Sequence, residues 1–426
     1  MQSQIKAPRG TNDVLPKDSY KWQYVDKVAK EVAEDYGYKE VRFPTFEETE
    51  LFQRGVGDTT DIVQKEMYTF KDKGDRSITL RPEGTASVVR LCLEHGLFGG
   101  LLPVKVFYNI SAFRYEKPQA GRFREFHQFG VEVFGSKLPC ADIEVIELGN
   151  QFIKKLGITD ALLKINSIGC PKCRPLYHTA LKEYFNNYKN ELCETCNTRL
   201  DRNPLRILDC KSPICKEITK KAPIITDYLC AECRVHFSSL KEGLTRAGIE
   251  FEVDTGIVRG LDYYTKTVFE FIHKGTGLAL IAGGRYDELV KELDEKQDVS
   301  GLGFASGIER LIGVMEQSGL NFGNNINEQN IDVYIANIGE KGGAMAADLA
   351  FKLRSLDIKT ELDLMNRSLK TQMKYADKIG ARYTIALGDE EVTSGKIVLK
   401  DMRDGNKTTL NAEEIATFIK VKKINP

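Results

Sequence analysis

The chain has 426 residues, 42% of them hydrophobic, and 61 Lys+Arg balance 61 Asp+Glu, so more than one ordinary globular domain is expected, and the balance argues against a generally basic nucleic-acid coat but not against a local basic patch. The N-terminal MQSQIKAPRG lacks the apolar core of a signal peptide, and no apolar run approaches the roughly 20 residues that span a bilayer, which points to a cytoplasmic protein with no membrane partner. In that compartment the ten cysteines are expected as thiols or metal ligands.

Residues 18–36 carry Trp22, Val25, Val28, Val32 and Tyr36 at helical steps, with Gly37 as a stop signal. EVRFPTF reads as a strand whose Pro44 suits an edge or a boundary. Residues 77–81 read as a strand, Pro82 to Thr85 as a turn, and a helix runs to about His95. Residues 113–134 (FRYEKPQAGRFREFHQFGVEVF) look like two strands joined by a charged loop, and 142–156 resume helical spacing. The stretch 166–250 holds eight of the ten cysteines and reads as an inserted module. Strand-like patterns return over 258–272 and 278–289, and GLGFASGIERLIGVM (301–315) reads as a glycine-punctuated helix. An Asn- and Gly-rich linker covers 318–330. From 331 strands alternate with helices, which predicts a small α/β domain with a mostly parallel sheet.

The paired strands near 113–134 carry the most informative chemistry. Side chains alternate across a strand, so Arg114 and Glu116 point one way, and Arg124, Phe126, Gln128 and Glu132 share a face of the return strand. Apolar neighbours on both sides predict burial, and buried charges are costly unless paired or bound to a ligand. Arg114 with Arg259 suits a phosphate, since guanidinium is permanently charged and forked. Structural salt bridges to Glu116 and Glu132 are the other reading. Arg310 lies beside Gly303 and Gly307, and an ordinary surface role is its alternative. Thr85, next to Glu83, could simply cap its helix. Tyr263 and Tyr264 have the plain reading of core or edge residues. There is no P-loop and no GxGxxG.

Lys370, Lys374, Lys378 and Arg382 recur every four residues and stack on one helix face opposite Leu369, Met373, Ala376 and Ile379. A solvated face and a phosphate contact are the two readings. In the module, Cys170, Cys173, Cys193 and Cys196 have the spacing of a four-cysteine zinc site, and Cys210, Cys215, Cys230 and Cys233 could form a second. Reduced thiols in a small packed core are the alternative, and the pairing of the four doublets stays open.

These residues coincide with a family pattern. The chain resembles the histidyl-tRNA synthetases, class II aminoacyl-tRNA synthetases. The helix and strand ending at Pro44 resemble motif 1, FRYE…RFREFHQFGVE resembles motif 2, and GLGFASGIERL resembles motif 3. LRPEGT (80–85) and RGLDYYT (259–265) resemble histidine-specific segments. The resemblance implies an α+β class II catalytic core over 1–325 with a six-stranded antiparallel sheet flanked by helices. The Cys-rich insertion at 166–250 interrupts it, and an α/β anticodon-binding domain follows at 331–426. It further implies a homodimer joined through motif 1, with histidine, ATP and tRNA(His) as substrates and Mg²⁺ on the β,γ-phosphates.

The resemblance also assigns roles. Glu83, Thr85 and Gln128 would hold the amino acid, with Arg114, Arg259 and Tyr263 beside them. Glu132 and Tyr264 would pair with the imidazole. Arg114 would meet the α-phosphate, Glu116 the adenine edge, and Arg122 the γ-phosphate. Phe126 and Arg310 would sandwich the purine, and Arg259 would stand where related enzymes put a metal ion. Arg114 and Arg259 are thus the expected catalytic residues. A histidine-binding regulatory paralogue of ATP phosphoribosyltransferase is the runner-up, and a nucleic-acid-binding module with a vestigial core is a third reading. The retained arginines and the C-terminal domain favour the enzyme.

Overall fold

The computed structural model describes residues 5–424 apart from 59, 120, 211, 259 and 324–330. Arg259 and most of the expected 318–330 linker therefore lie outside the described residues. The chain divides into two compact units, residues 1–324 and 325–426.

The first unit is built on an eight-stranded sheet. Six antiparallel strands form its centre in the spatial order Val104–Phe113, Glu125–Phe134, Gly301–Gly307, Ala279–Arg285, Thr265–His273 and Ala161–Ser167. Two short parallel strands, Lys39–Glu40 and Phe251–Val253, extend the two edges. Both faces are apolar, which is why alternation brings hydrophobic residues to each side. On one face Phe107, Phe129, Val131, Phe269, Phe271 and Phe304 pack against helices Ser19–Asp35, Pro139–Lys155 and Ile308–Gln317. On the other, Val106, Tyr108 and Val268 meet helix Thr85–Glu94.

Several expectations change in detail. Pro44 lies between two short strands, Lys39–Glu40 and Phe46–Glu48, and the second belongs to a separate three-stranded sheet. The strand expected over 258–272 begins only at Thr265. Gly301–Gly307 is a strand, and the helix starts at Ile308. Three glycines in seven residues would cost a helix about 1 kcal/mol each. One of the same glycines lets this strand approach its neighbour closely: a β-carbon on Gly303 would overlap the Val131 carbonyl and the Glu132 carboxylate.

The stretch 166–250 is shared between two cores. Tyr177, Leu181, Phe185, Leu200 and Ile207 cluster with the cysteines. Helix Ala231–Arg246 begins beside Cys230 and Cys233, then delivers Phe237, Leu240 and Leu244 to the core of the main sheet. A fully buried ion pair lies near this junction. Asp142 accepts hydrogen bonds from Arg285 Nε and Nη2 at 2.6–3.0 Å, and His236 lies 3.3 Å away.

The second unit has a five-stranded sheet in the order Thr360–Leu362, Val333–Asn337, Tyr383–Leu387, Lys396–Asp401, Lys407–Asn411. The first three strands are parallel, and an antiparallel hairpin completes the sheet, so it is more mixed than alternation alone implied. Helix Leu369–Lys378 presents Lys370, Lys374 and Lys378 to solvent and buries Ala376. Arg382 follows the helix and leaves that stripe. Its Nε lies 3.4 Å from Asp401 and its guanidinium rests on the Tyr383 ring.

Candidate active site

A cavity of about 180 Å³ opens on the Val104–Phe113 and Glu125–Phe134 side of the main sheet. Its walls include Glu83, Thr85, Arg114, Glu116, Arg122, Phe126, Gln128, Tyr263, Tyr264 and Arg310. Ten residues from five separate segments thus converge, as the alternation argument for the paired strands requires.

The closed end is polar and buried. Thr85 and Ala86 donate their backbone N–H groups to the Glu83 carboxylate at 2.7 and 2.9 Å. Glu83 therefore caps the helix that Thr85 was a candidate to cap. The Thr85 hydroxyl is turned instead toward Glu132 Oε1, 2.8 Å away. Tyr108 donates to the same oxygen at 3.1 Å, and Tyr286 donates to Glu132 Oε2. Glu132 is itself set behind the wall formed by Thr85, Tyr286 and Gly303, one layer deeper than its expected partner Tyr264. Burial pushes the Glu132 carboxyl up to about 8, against the pull of its three hydroxyl donors, and burial likewise raises Glu83. Gln128 Oε1 is buried without a hydrogen-bond partner among the described residues, a free acceptor beside a cavity.

The open end carries the cations. Arg114 Nε donates to the Pro82 carbonyl at 2.8 Å and its guanidinium stands 5.3 Å from the centre of the Phe126 ring. Arg122 lies 3.4 Å from Glu116. Arg310 donates to the carbonyls of Gly121 and Ala279, both at 3.1 Å, which fixes its plane, and among the described residues no carboxylate lies at hydrogen-bonding distance from its guanidinium. Burial lowers its basicity, reinforced by nearby Arg122. Arg124, read with this face, packs on the Tyr115 ring 3.9 Å away and does not line the cavity. An elongated ligand with a small polar head and an anionic, planar tail matches this gradient.

Tyr108 and Tyr286 escape a reading of the sequence as contributors. The GGRY run before a strand end is visible, but nothing local tells that its tyrosine will reach a glutamate 154 positions away.

The cysteines form two four-sulfur clusters, each able to offer a metal ion four ligands. Cys170, Cys173, Cys230 and Cys233 make one, and Cys193, Cys196, Cys210 and Cys215 the other, with ligand atoms within 4.8 Å of one another. The arrangement is nested: the outer doublets pair together and the inner ones together, unlike the consecutive pairing read from spacing. Sulfurs of Cys170 lie 3.7 and 3.8 Å from those of Cys173 and Cys230, and Cys193 and Cys210 are 3.8 Å apart. A tetrahedron with metal–sulfur bonds of about 2.3 Å has edges of about 3.8 Å.

Comparison with known proteins places the chain in a family. A family model described as histidyl-tRNA synthetase matches residues 10–182 and 219–311, and an anticodon binding domain model matches 332–422. The chain is 52% identical over 418 residues to the histidine–tRNA ligase of Acetivibrio thermocellus, covering 98% of this chain and 99% of that one. It is 53% identical over 408 residues to that of Halothermothrix orenii, covering 95% and 96%. The crystal structure of apo Staphylococcus aureus histidyl-tRNA synthetase superposes with a TM-score of 0.82 at 39% identity, covering 98% of this chain and 100% of that one. A structure titled as an ATP phosphoribosyltransferase regulatory subunit/histidyl-tRNA synthetase from Bacillus halodurans C shares the fold at 21% identity.

Proposed function

Because the chain belongs to the histidyl-tRNA synthetase family and attaches histidine to tRNA(His) at the expense of ATP, we propose the following division of labour in its cavity. The carrying observation is the cavity's polarity gradient, from the buried Glu83–Thr85–Glu132 end to the Arg114–Arg122–Arg310 end. The regulatory paralogue is not favoured, since the relatives at 52–53% identity are ligases.

Histidine enters head first. Glu83, Thr85 and the unpaired Gln128 oxygen receive its ammonium, and Tyr264 on the wall pairs with the imidazole; Glu132, expected as the second imidazole partner, lies behind the wall and acts on the ring through Thr85 and Tyr286, which it holds, and Tyr263 completes the pocket. Buried polar partners reject analogues that cannot satisfy them by about 10⁴-fold. ATP lies over Phe126, with Arg310 on the other side of the purine and Glu116 at its edge. Arg114 meets the α-phosphate, Arg122 the γ-phosphate, and Arg259 the charge that develops at the reacting phosphorus. The histidine carboxylate attacks the α-phosphorus in line and pyrophosphate leaves. The terminal ribose hydroxyl of tRNA then attacks the adenylate carbonyl and AMP leaves. No protein nucleophile is needed, and catalysis is positioning plus charge stabilisation. Mg²⁺ bound with ATP would supply further charge neutralisation at the phosphates, beside Arg114 and Arg122.

In the second unit Lys370, Lys374 and Lys378 are proposed to contact tRNA phosphates, with Arg382 at the margin of that surface. The two cysteine clusters are proposed to hold structural zinc, which thiolates in tetrahedral sets favour. The working form is proposed to be a cytoplasmic homodimer. No helix among the described residues is long and apolar enough to cross a membrane.

Histidine-dependent exchange of labelled pyrophosphate into ATP, without tRNA, tests the proposal. Exchange with histidine and not with other amino acids is expected. Folded protein that binds histidine without exchange would overturn it.

A further inference from the structure

The two cysteine clusters grip the same short segment of chain, 260–266, from opposite ends. That segment carries Tyr263 and Tyr264 of the cavity wall.

The inner cluster reaches it through Asp262. Cys193 and Cys196 stand at the start of helix Glu194–Arg202, Cys210 follows the turn Pro204–Ile207, and the cluster therefore holds that turn on both sides. From the turn, Arg206 Nε and Nη2 donate to Asp262 Oδ1 at 3.2 and 2.9 Å, and Asn203 Nδ2 donates to the same oxygen at 3.1 Å. Arg199, one helical turn beyond Cys196, donates to the Arg206 carbonyl at 3.2 Å.

The outer cluster reaches the other end. Beside Cys170, the Gly169 carbonyl accepts the Lys266 N–H at 2.7 Å, and the Ile168 N–H donates to the Lys266 carbonyl at 2.7 Å. Arg174, directly after Cys173, donates to the Tyr264 carbonyl. Glu232, directly before Cys233, binds Lys266 Nζ at 2.9 Å. Lys266 has φ of 46°, a left-handed conformation that its surroundings must enforce in a residue other than glycine.

We propose that metal bound in the two four-sulfur clusters sets the affinity for histidine by clamping residues 260–266 at Asp262 and at Tyr264–Lys266. This rests on the proposed zinc occupancy and on the proposed histidine pocket. The physical reason is local: the Cys-rich core is small, and a metal that closes each cluster supplies folding free energy that the segment alone lacks. Without it, the turn bearing Arg206 gains freedom, and binding histidine must also order the segment. Arg114, Glu116, Arg122, Phe126 and Arg310, which meet ATP, lie outside the segment and keep their geometry; Arg259 adjoins it but acts on the charge that develops during reaction, so it bears on the rate and not on the ATP KM. The family model leaves 183–218 unmatched, so the inner clamp lies on a stretch outside the matched residues.

The test uses the full-length reduced protein purified without chelator, its metal content measured by elemental analysis, and its histidine and ATP KM values measured by pyrophosphate exchange. Arg206→Ala leaves every sulfur in place. It is expected to keep two metals per chain, and to raise the KM for histidine about tenfold with the ATP KM unchanged, within the span usual for coupling between sites. Cys196→Ser is expected to lose one metal and raise the histidine KM at least as much. The double variant should be no worse than Cys196→Ser, because both changes cut one path. A folded Cys196→Ser protein lacking one metal but keeping its histidine KM would overturn the proposal, as would an Arg206→Ala effect shared equally by ATP and histidine. Parent protein without metal would overturn the zinc reading itself, and an unchanged histidine KM in Arg206→Ala would then remove the mechanical link as well.

Discussion

Gly303 lies directly opposite Glu132 in the sheet, and a β-carbon there would overlap a carboxylate oxygen of Glu132. The absent side chain is what lets a glutamate lie beneath the cavity with Tyr286 and Thr85 as donors. Gly303→Ala should therefore push the carboxylate out of place. Overpacking costs about 1–3 kcal/mol. A lower thermal midpoint and a raised histidine KM are expected; an unchanged histidine KM would show that the position of Glu132 is not used.

The pH dependence of stability should carry the mark of Glu132. Its carboxyl is raised from the ordinary 4.5 to about 8 by burial. The folded chain then binds a proton that the unfolded chain has released, so stability is fully present below pH 4.5 and falls as pH rises toward 8. The slope from this one group is at most about 1.4 kcal/mol per pH unit. In ligand-free Glu132→Gln, denaturant unfolding between pH 5 and 8.5 should lose less stability than the parent does. A parallel decline in both proteins would contradict the assignment.

Arg114→Ala removes a permanent charge from the open end of the cavity. A loss of about 10²–10³ in the rate of adenylate formation is expected, with histidine binding by calorimetry much less affected. Equal losses in both would mean that Arg114 acts chiefly on the fold.

Charge reversal at Lys370 and Lys374 should weaken aminoacylation while leaving pyrophosphate exchange intact. Each tRNA phosphate that a lysine no longer neutralises lowers the salt slope of tRNA binding by about one. An unchanged slope would remove this face from the tRNA interface.

Asp142 and Arg285 are both fully buried, and the Arg285 guanidinium, helped by His236, keeps the Asp142 carboxyl below its ordinary value despite burial. Asp142→Ala leaves the buried Arg285 with Asp287, 3.3 Å away, as its remaining carboxylate. Chemical denaturation should register a loss of about 3–5 kcal/mol, the usual cost of breaking a buried pair from one side.

Much of the cavity is legible along the chain because its wall is drawn from strands and from a strand-to-helix turn. Period-two alternation places Phe126, Gln128 and Glu132 on one face, and the structure has them there. The glycine-rich run at 301–307 reads as helix because its partners are invisible locally; only pairing with Glu125–Phe134 makes it a strand. Arg124 shares the parity of Phe126, yet the strand begins at Glu125, so alternation no longer governs where its side chain goes. Arg382 falls in step with a basic helix that stops at Lys378.

By itself the chain determined ten of the residues that line the cavity, the cysteine doublets and most elements, since each is a matter of residue type and of spacing within a turn or strand. The tertiary structure alone decided the nested union of Cys170 and Cys173 with Cys230 and Cys233, the retreat of Glu132 behind Tyr286, and the convergence of Arg206 on Asp262. These depend on distances between atoms far apart in sequence. Local pattern constrains the backbone over a few residues, whereas partners tens of residues away are chosen by the packing of the whole unit.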